Sequence, residues 1–153
     1  MKKRIFEKES VIEAPARKVF DWHKTDDALE KLIPPGDPVS VGERNGSIKD
    51  DDTVVLKIGF GPFSMNWLAR HQNYEEGRQF EDVQVEGPFA HWVHTHEVIP
   101  EDESRCRLRD HVEYAVPFGA LGDFLFGWFV RRKLQSMFEY RHSVTREELE
   151  NQD

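Results

Sequence analysis

The apolar positions along this 153-residue chain change period twice. Residues 5–12 read as a strand, closed by Glu13-Ala14-Pro15. Pro15 suits a first helical turn, and Val19, Phe20 and Trp22 give the segment running to about Lys24 one apolar face. A second short helix begins at Asp26-Asp27, carries Leu29, Leu32 and Ile33, and stops at Pro34-Pro35-Gly36. From Pro38 the period drops to two. Residues 39–41, 53–60, 63–74, 79–86, 89–99 and 104–116 are rich in β-branched and aromatic residues, with turn signals such as Asn45-Gly46, Gly61-Pro62 and Gly87-Pro88 between them. The helical period returns at Pro117 and holds to Arg141, the longest helical stretch of the chain.

This order predicts an α+β fold: a strand, two short helices, a run of antiparallel strands, then one long helix. Short loops between consecutive strands imply a strongly curved sheet of about six to seven strands, and the terminal helix is the partner long enough to cover its concave face. That is a helix-grip architecture. In the helix, Phe126, Val130, Leu134, Met137 and Phe138 share one face, with Arg131, Arg132, Gln135, Glu139 and His142 directed elsewhere. Asp123, expected in the first turn, complements the positive end of the helix dipole. A second apolar stripe, Leu121, Phe124, Leu125 and Trp128, lies on the opposite side. Loops cover it, or it borders a cavity mouth, a dimer interface or a membrane surface.

Composition narrows the classes of function. The formal charge of −8 argues against sequence-independent nucleic-acid binding and against general attraction to anionic membranes. The basic start lacks the apolar run of a secretory signal, and no apolar run is long enough to span a membrane. One cysteine, Cys106, permits no internal disulfide, which fits a reducing cytoplasm. We expect one domain over residues 1–146 and a disordered tail over 147–153.

The chain resembles the SRPBCC superfamily of START-like, birch-pollen-allergen-like and polyketide cyclase/dehydrase proteins. The residues that carry the resemblance are Ile12-Glu13-Ala14-Pro15 before Val19-Phe20-Asp21-Trp22, then Leu32-Ile33-Pro34, and Gly87-Pro88-Phe89 before Trp92-Val93-His94. Arg109-Asp110-His111-Val112-Glu113-Tyr114 before Pro117-Phe118-Gly119, and a terminal helix with Leu134, Phe138 and Arg141, complete it. The resemblance spans nearly the whole chain and implies a START-like ligand-binding domain. Its cavity, between sheet and helix, would hold a lipid, polyketide, quinone-like or other apolar molecule. Some members of the superfamily are enzymes and many only bind.

Strand parity suggests which side chains face that cavity. If the last hairpin turns at Asp102, His94 opposes Asp110, Trp92 opposes Val112 and His96 opposes Leu108. If the preceding turn is at Gly87, Phe80 opposes His94 and Asp82 opposes Trp92. One face then collects Phe80, Asp82, Gln84, Trp92, His94, His96, Asp110, Val112 and Tyr114. With Trp67 from an earlier strand and Val130 from the helix, these supply the candidate ligand-binding residues. His94 and Asp110 are either a hydrogen-bonded pair that holds two strands in register, or an acid/base pair for a cyclase- or dehydratase-type reaction. His91 has the wrong parity to join His94 and His96, so a metal would need a third ligand such as Asp82 or Asp110; neither metal nor cofactor is expected. The remaining reading is a protein-interaction or membrane-docking module acting through Leu121, Phe124, Leu125 and Trp128.

Overall fold

The computed structural model describes residues 1–150. Strand β1 (Arg4–Ile12) leads into helices α1 (Ala16–His23) and α2 (Ala28–Lys31). Six strands follow, β2 (Val39–Asn45), β3 (Thr53–Ile58), β4 (Met65–Glu75), β5 (Gln79–Glu86), β6 (His91–Pro100) and β7 (Cys106–Ala115), and then helix α3 (Gly119–Glu150). All strand pairings are antiparallel, in the spatial order β1-β7-β6-β5-β4-β3-β2. The curved sheet grips α3, and the fold is a helix grip.

Strands β6 and β7 alternate buried and half-buried positions almost throughout, as one covered face requires. Their register differs from the parity reading by two residues. His96 opposes Asp110, His94 opposes Val112 and Trp92 opposes Tyr114. The turn is centred on Glu103 rather than Asp102, because the Asp102 carboxylate accepts the backbone N–H groups of Ser104 and Arg105 and draws the loop around them. Likewise Phe80 opposes His96 and Asp82 opposes His94. There the Gln84 side chain brackets the backbone of Phe89 and moves the turn beyond Gly87. Moving a turn by one residue moves the pairing by two, so every side chain keeps its face.

The apolar core has two lobes. One gathers Ile12, Val19, Phe20, Phe80, Val98, Leu108 and Leu149 under α1 and the end of α3. The other gathers Phe6, Trp92, Val112, Tyr114, Leu134 and Phe138 under the middle of α3. Leu149 is buried and α3 runs through Glu150, so residues 147–150 belong to the helix and not to a tail. Residues 151–153, the rest of the expected tail, lie outside the described residues.

Helix α3 departs from its sequence pattern at its start. Gly122 packs so closely on the chain that a Cβ there would lie 1.8 Å from the Pro117 carbonyl oxygen. Asp123 falls in the second turn, not the first, and accepts both arms of the Arg4 guanidinium at 3.0 and 2.6 Å. That hydrogen bond pushes its carboxyl down to about 2. Asp123 therefore ties the helix to β1 more than it answers the dipole. Phe126, expected on the covered face, is 55% exposed, as are its neighbours Phe124, Leu125, Trp128 and Phe129 to half or more, so the apolar stripe is covered only further along the helix. His142, expected to point away, is 1% exposed.

Candidate functional site

Between the sheet and α3 lies a cavity of about 480 Å³. Its walls are mainly apolar: Leu29, Leu32 and Ile33 from α2 and its following turn, Val54, Leu56 and Ile58 from β3, Trp67 and Ala69 from β4, and Phe129, Val130, Leu134 and Met137 from α3. Phe89 packs against Trp67 and Trp92 and closes one side. Ionisable side chains from β4, β5, β6 and α3 collect on the cavity lining: His71, Asp82, His94, His96 and Arg141.

The polar cluster follows directly from strand parity. Asp82 on β5 and His94 and His96 on β6 point to the same concave face, and cross-strand pairing brings them into contact. The Asp82 carboxylate receives Nε2 of His96 at 2.9 Å and the indole N–H of Trp92 at 3.2 Å, and lies 3.2 Å from Nδ1 of His94. His94 donates from Nε2 to Asp110 at 2.7 Å. On its other oxygen Asp110 meets Nε2 of His142 at 2.6 Å, and Nδ1 of His142 is 2.8 Å from the Ser10 hydroxyl. One chain of contacts thus joins β5, β6, β7, β1 and α3, at the seam between the two core lobes.

Electrostatics separate the two neighbouring histidines. Burial works against a charged His94, but carboxylates at both ring nitrogens overcome it and raise the imidazole to about 9. His96 lies with its ring 3.7 Å from that of His94, stacked on Phe80. Burial and the neighbouring cation push it down to about 4. At neutral pH the pair is one imidazolium beside one neutral imidazole. Asp82 and Asp110 are held well below the usual carboxylate range; burial opposes this, and the histidine contacts outweigh it. His23, on the cavity lining at the end of α1, is lowered by burial and bonded to the Val19 carbonyl.

Of the residues expected from sequence, Trp67, Phe80, Asp82, Trp92, His94, His96 and Val130 lie on the cavity lining. Asp110, Val112 and Tyr114 do not reach it. Asp110 sits behind the histidines, and Val112 and Tyr114 are core residues packed with Phe6 and Phe138. The convex parity of His91 holds, and its Nε2 meets Glu113 at 2.7 Å. Asp82, His94 and His96 do each offer one ligand atom within 4.8 Å of the others, so the third ligand that a metal would need is Asp82. Those atoms also form the hydrogen bonds above, and a divalent cation would have to displace protons from both rings to enter. Cys106 is fully buried, and burial pushes its thiol up to about 11, which makes it inert as a nucleophile.

Sequence reasoning gave no role in the site to His71, Arg141 or His142. For the last two a signal existed. Continuing the i, i+4 stripe from Leu134 and Phe138 leads to His142, with Arg141 beside it.

Comparison of the sequence with curated proteins finds no match. Solved structures share the architecture. TTHA0849 from Thermus thermophilus superposes with a TM-score of 0.72 at 18% identity, over 94% of this chain and 95% of that one. Norcoclaurine synthase from Thalictrum flavum, in complex with dopamine and hydroxybenzaldehyde, gives 0.72 at 14% identity, over 99% and 89%. The Zhui aromatase/cyclase from Streptomyces sp. R1128 gives 0.65 at 16%, over 95% and 90%. At these identities the likeness is one of fold. The sequence itself matches a family over residues 12–139. The chain belongs to the polyketide cyclase / dehydrase and lipid transport family.

Proposed function

We propose that this protein binds an apolar, preferentially aromatic small molecule in the cavity under α3. The observation that carries the reading is the cavity itself: about 480 Å³, walled by aliphatic and aromatic side chains, with a few convergent polar groups. The complex of norcoclaurine synthase with two aromatic compounds supports it by analogy of fold. Native mass spectrometry of the purified protein, followed by denaturing extraction, tests it. An excess mass that leaves on denaturation and proves apolar is the expected result. A clean apo mass, together with no quenching of tryptophan emission by aromatic probes, would remove the reading.

A second reading, acid/base catalysis on the bound molecule, is favoured by the split protonation of His94 and His96 on the cavity lining. The roles differ from those expected for His94 and Asp110. Neutral His96, oriented by Asp82, is the group that exchanges a proton with the bound molecule. His94, whose two ring nitrogens are held by Asp82 and Asp110, supplies the neighbouring positive charge, and Asp110 positions it without touching substrate. His96→Gln should then abolish turnover of the extracted compound while leaving its binding intact. Unchanged turnover rules this chemistry out.

A third reading, docking on a lipid surface, rests on the exposed start of α3. Leu121, Phe124, Leu125 and Trp128 are 64%, 81%, 50% and 66% exposed, and Phe60 and Phe63 at the β3–β4 turn are 74% and 88% exposed. Phe129 and Ile58, which adjoin these two segments, both line the cavity. The one acid between Gly119 and Phe138, Asp123, is neutralised by Arg4 and Lys2, and Arg131, Arg132 and Lys133 follow the apolar run. An apolar patch bordered by cations, on a chain of charge −8, is the local complement of a phospholipid interface. No helix among the described residues is long and apolar enough to cross a membrane, so contact of this kind would be peripheral. Co-sedimentation with phosphatidylcholine vesicles containing phosphatidylglycerol is expected. A stable dimer that buries the patch and ignores vesicles would overturn it.

A further inference from the structure

Besides its histidines, the cavity lining carries three cationic side chains: Arg44, Lys133 and Arg141. Two are already matched. Arg44 binds Glu30 at 2.9 Å and the Asp26 carbonyl, and Lys133 binds Asp37. Arg141 is different. Among the described residues no carboxylate lies within ion-pair distance of it, its guanidinium makes no hydrogen bond, and its Nε is buried without a partner. The guanidinium carbon sits 5.3 Å from the centroid of the Phe138 ring, which fixes its position without using a single N–H.

The nearby acids are directed elsewhere. Asp82 is engaged by His96 and Trp92 and Asp110 by His94 and His142, and neither comes within ion-pair distance of Arg141. On the Asp110 side of Arg141 the free space is about 10 Å³, at or below what one water needs. On its other side is the main cavity. Arg141 is half-buried. A guanidinium with its Nε buried, a planar fork of donors facing a cavity and no protein acceptor is costly in an unliganded protein, and is matched by a planar oxyanion.

We propose that the ligand is an apolar molecule bearing an acidic oxygen group, a carboxylate or the enolate or phenolate oxygen of an acidic aromatic, and that Arg141 holds that oxygen. This rests on the ligand-binding reading and adds the chemistry of the head group. The apolar body then lies against Trp67, Trp92, Val130 and Met137, and the oxygen points toward the floor beside His96. Within the acid/base reading the same guanidinium would stabilise an enolate formed by proton removal at His96.

The test compares 2-naphthoate with its neutral methyl ester, read by quenching of tryptophan emission and by the shift in Tm. Wild-type protein should bind the anion roughly tenfold or more tightly than the ester, and Arg141→Met should erase that preference while leaving ester affinity in place. If Arg141→Met does not fold by circular dichroism, Arg141→Gln, which keeps hydrogen bonding but not charge, carries the same comparison. Equal affinity for anion and ester in the wild type, or a preference that survives loss of the guanidinium, overturns the proposal and leaves the ligand-binding reading standing. Binding of neither probe overturns this proposal, and together with a clean apo mass removes the ligand-binding reading as well.

Discussion

The two parts of α3 both carry large apolar side chains, and these meet opposite fates. Its first half carries Leu121, Phe124, Leu125, Phe126, Trp128 and Phe129, each at least half exposed. From Leu134 onward it buries Leu134, Phe138, His142, Thr145 and Leu149, two of them polar. Apolar character therefore did not decide burial. What decided it was what each part packs against: the later part lies on β1, with Phe138 on Phe6, His142 on Ser10 and Arg146 on Val11, while the first part is tethered to the start of β1 by Asp123 with Arg4 and Lys2. Polar side chains are buried where partners await them, as His142 is with Asp110 and Ser10. Large aromatic side chains remain outside where nothing covers them.

The sharpest way to test this contrast is to mutate both halves alike. Phe138→Asp should abolish folding, and Phe138→Ala should cost about 3–5 kcal/mol in chemical denaturation, since the ring is fully buried against Phe6 and His94. Phe124→Ala, at an 81% exposed position, should stay within about 0.5 kcal/mol of wild type. Equal costs would show that the first half is packed in solution.

The second-largest effect belongs to the buried polar seam and is read against pH. His94, raised to about 9, contributes stability that is full below its ordinary value near 6.5 and is lost as pH climbs through 9. His96, lowered to about 4, contributes stability that is full above 6.5 and is lost as pH falls toward 4. Urea midpoints should peak near pH 6.5 and fall on both sides, with roughly 3 kcal/mol at stake on each limb. His96→Gln should flatten the acid limb and spare the alkaline one. A profile flat from pH 5 to 9 would contradict the split protonation.

Two smaller effects concern the exposed half. Asp123→Asn should leave global unfolding nearly unchanged but speed amide exchange at the start of α3, because the Arg4 clamp is lost. Phe124→Ser with Trp128→Ser should leave the urea midpoint in place and weaken vesicle binding roughly tenfold, the effect expected if these rings enter a lipid interface. Protection of α3 unaffected by the first change would show that packing, not Asp123, holds the helix down.

Much of the fold was legible because periodicity is a local property. Strands β4 to β7, α1 and α3 follow from the spacing of apolar residues, with ends displaced by a few positions. Parity also placed Asp82, His94 and His96 together on the concave side, even though both turn centres were one residue off, because the error moved pairings by an even number. Depth was not legible. Asp110, Val112 and Tyr114 share the parity of the cavity residues, yet lie too close to β1 and α3 to leave open space above them.

From the sequence alone, then, came the order of elements, the helix-grip architecture, the face on which each strand residue sits and the aromatic character of the cavity wall. All of these depend on alternation between near neighbours in the chain. The tertiary structure alone decided which half of α3 is covered, that His94 lies between two carboxylates while His96 stays neutral, and that Arg141 faces the cavity unpaired. Those outcomes depend on which surfaces meet and on distances between residues far apart in sequence, and no local period encodes either.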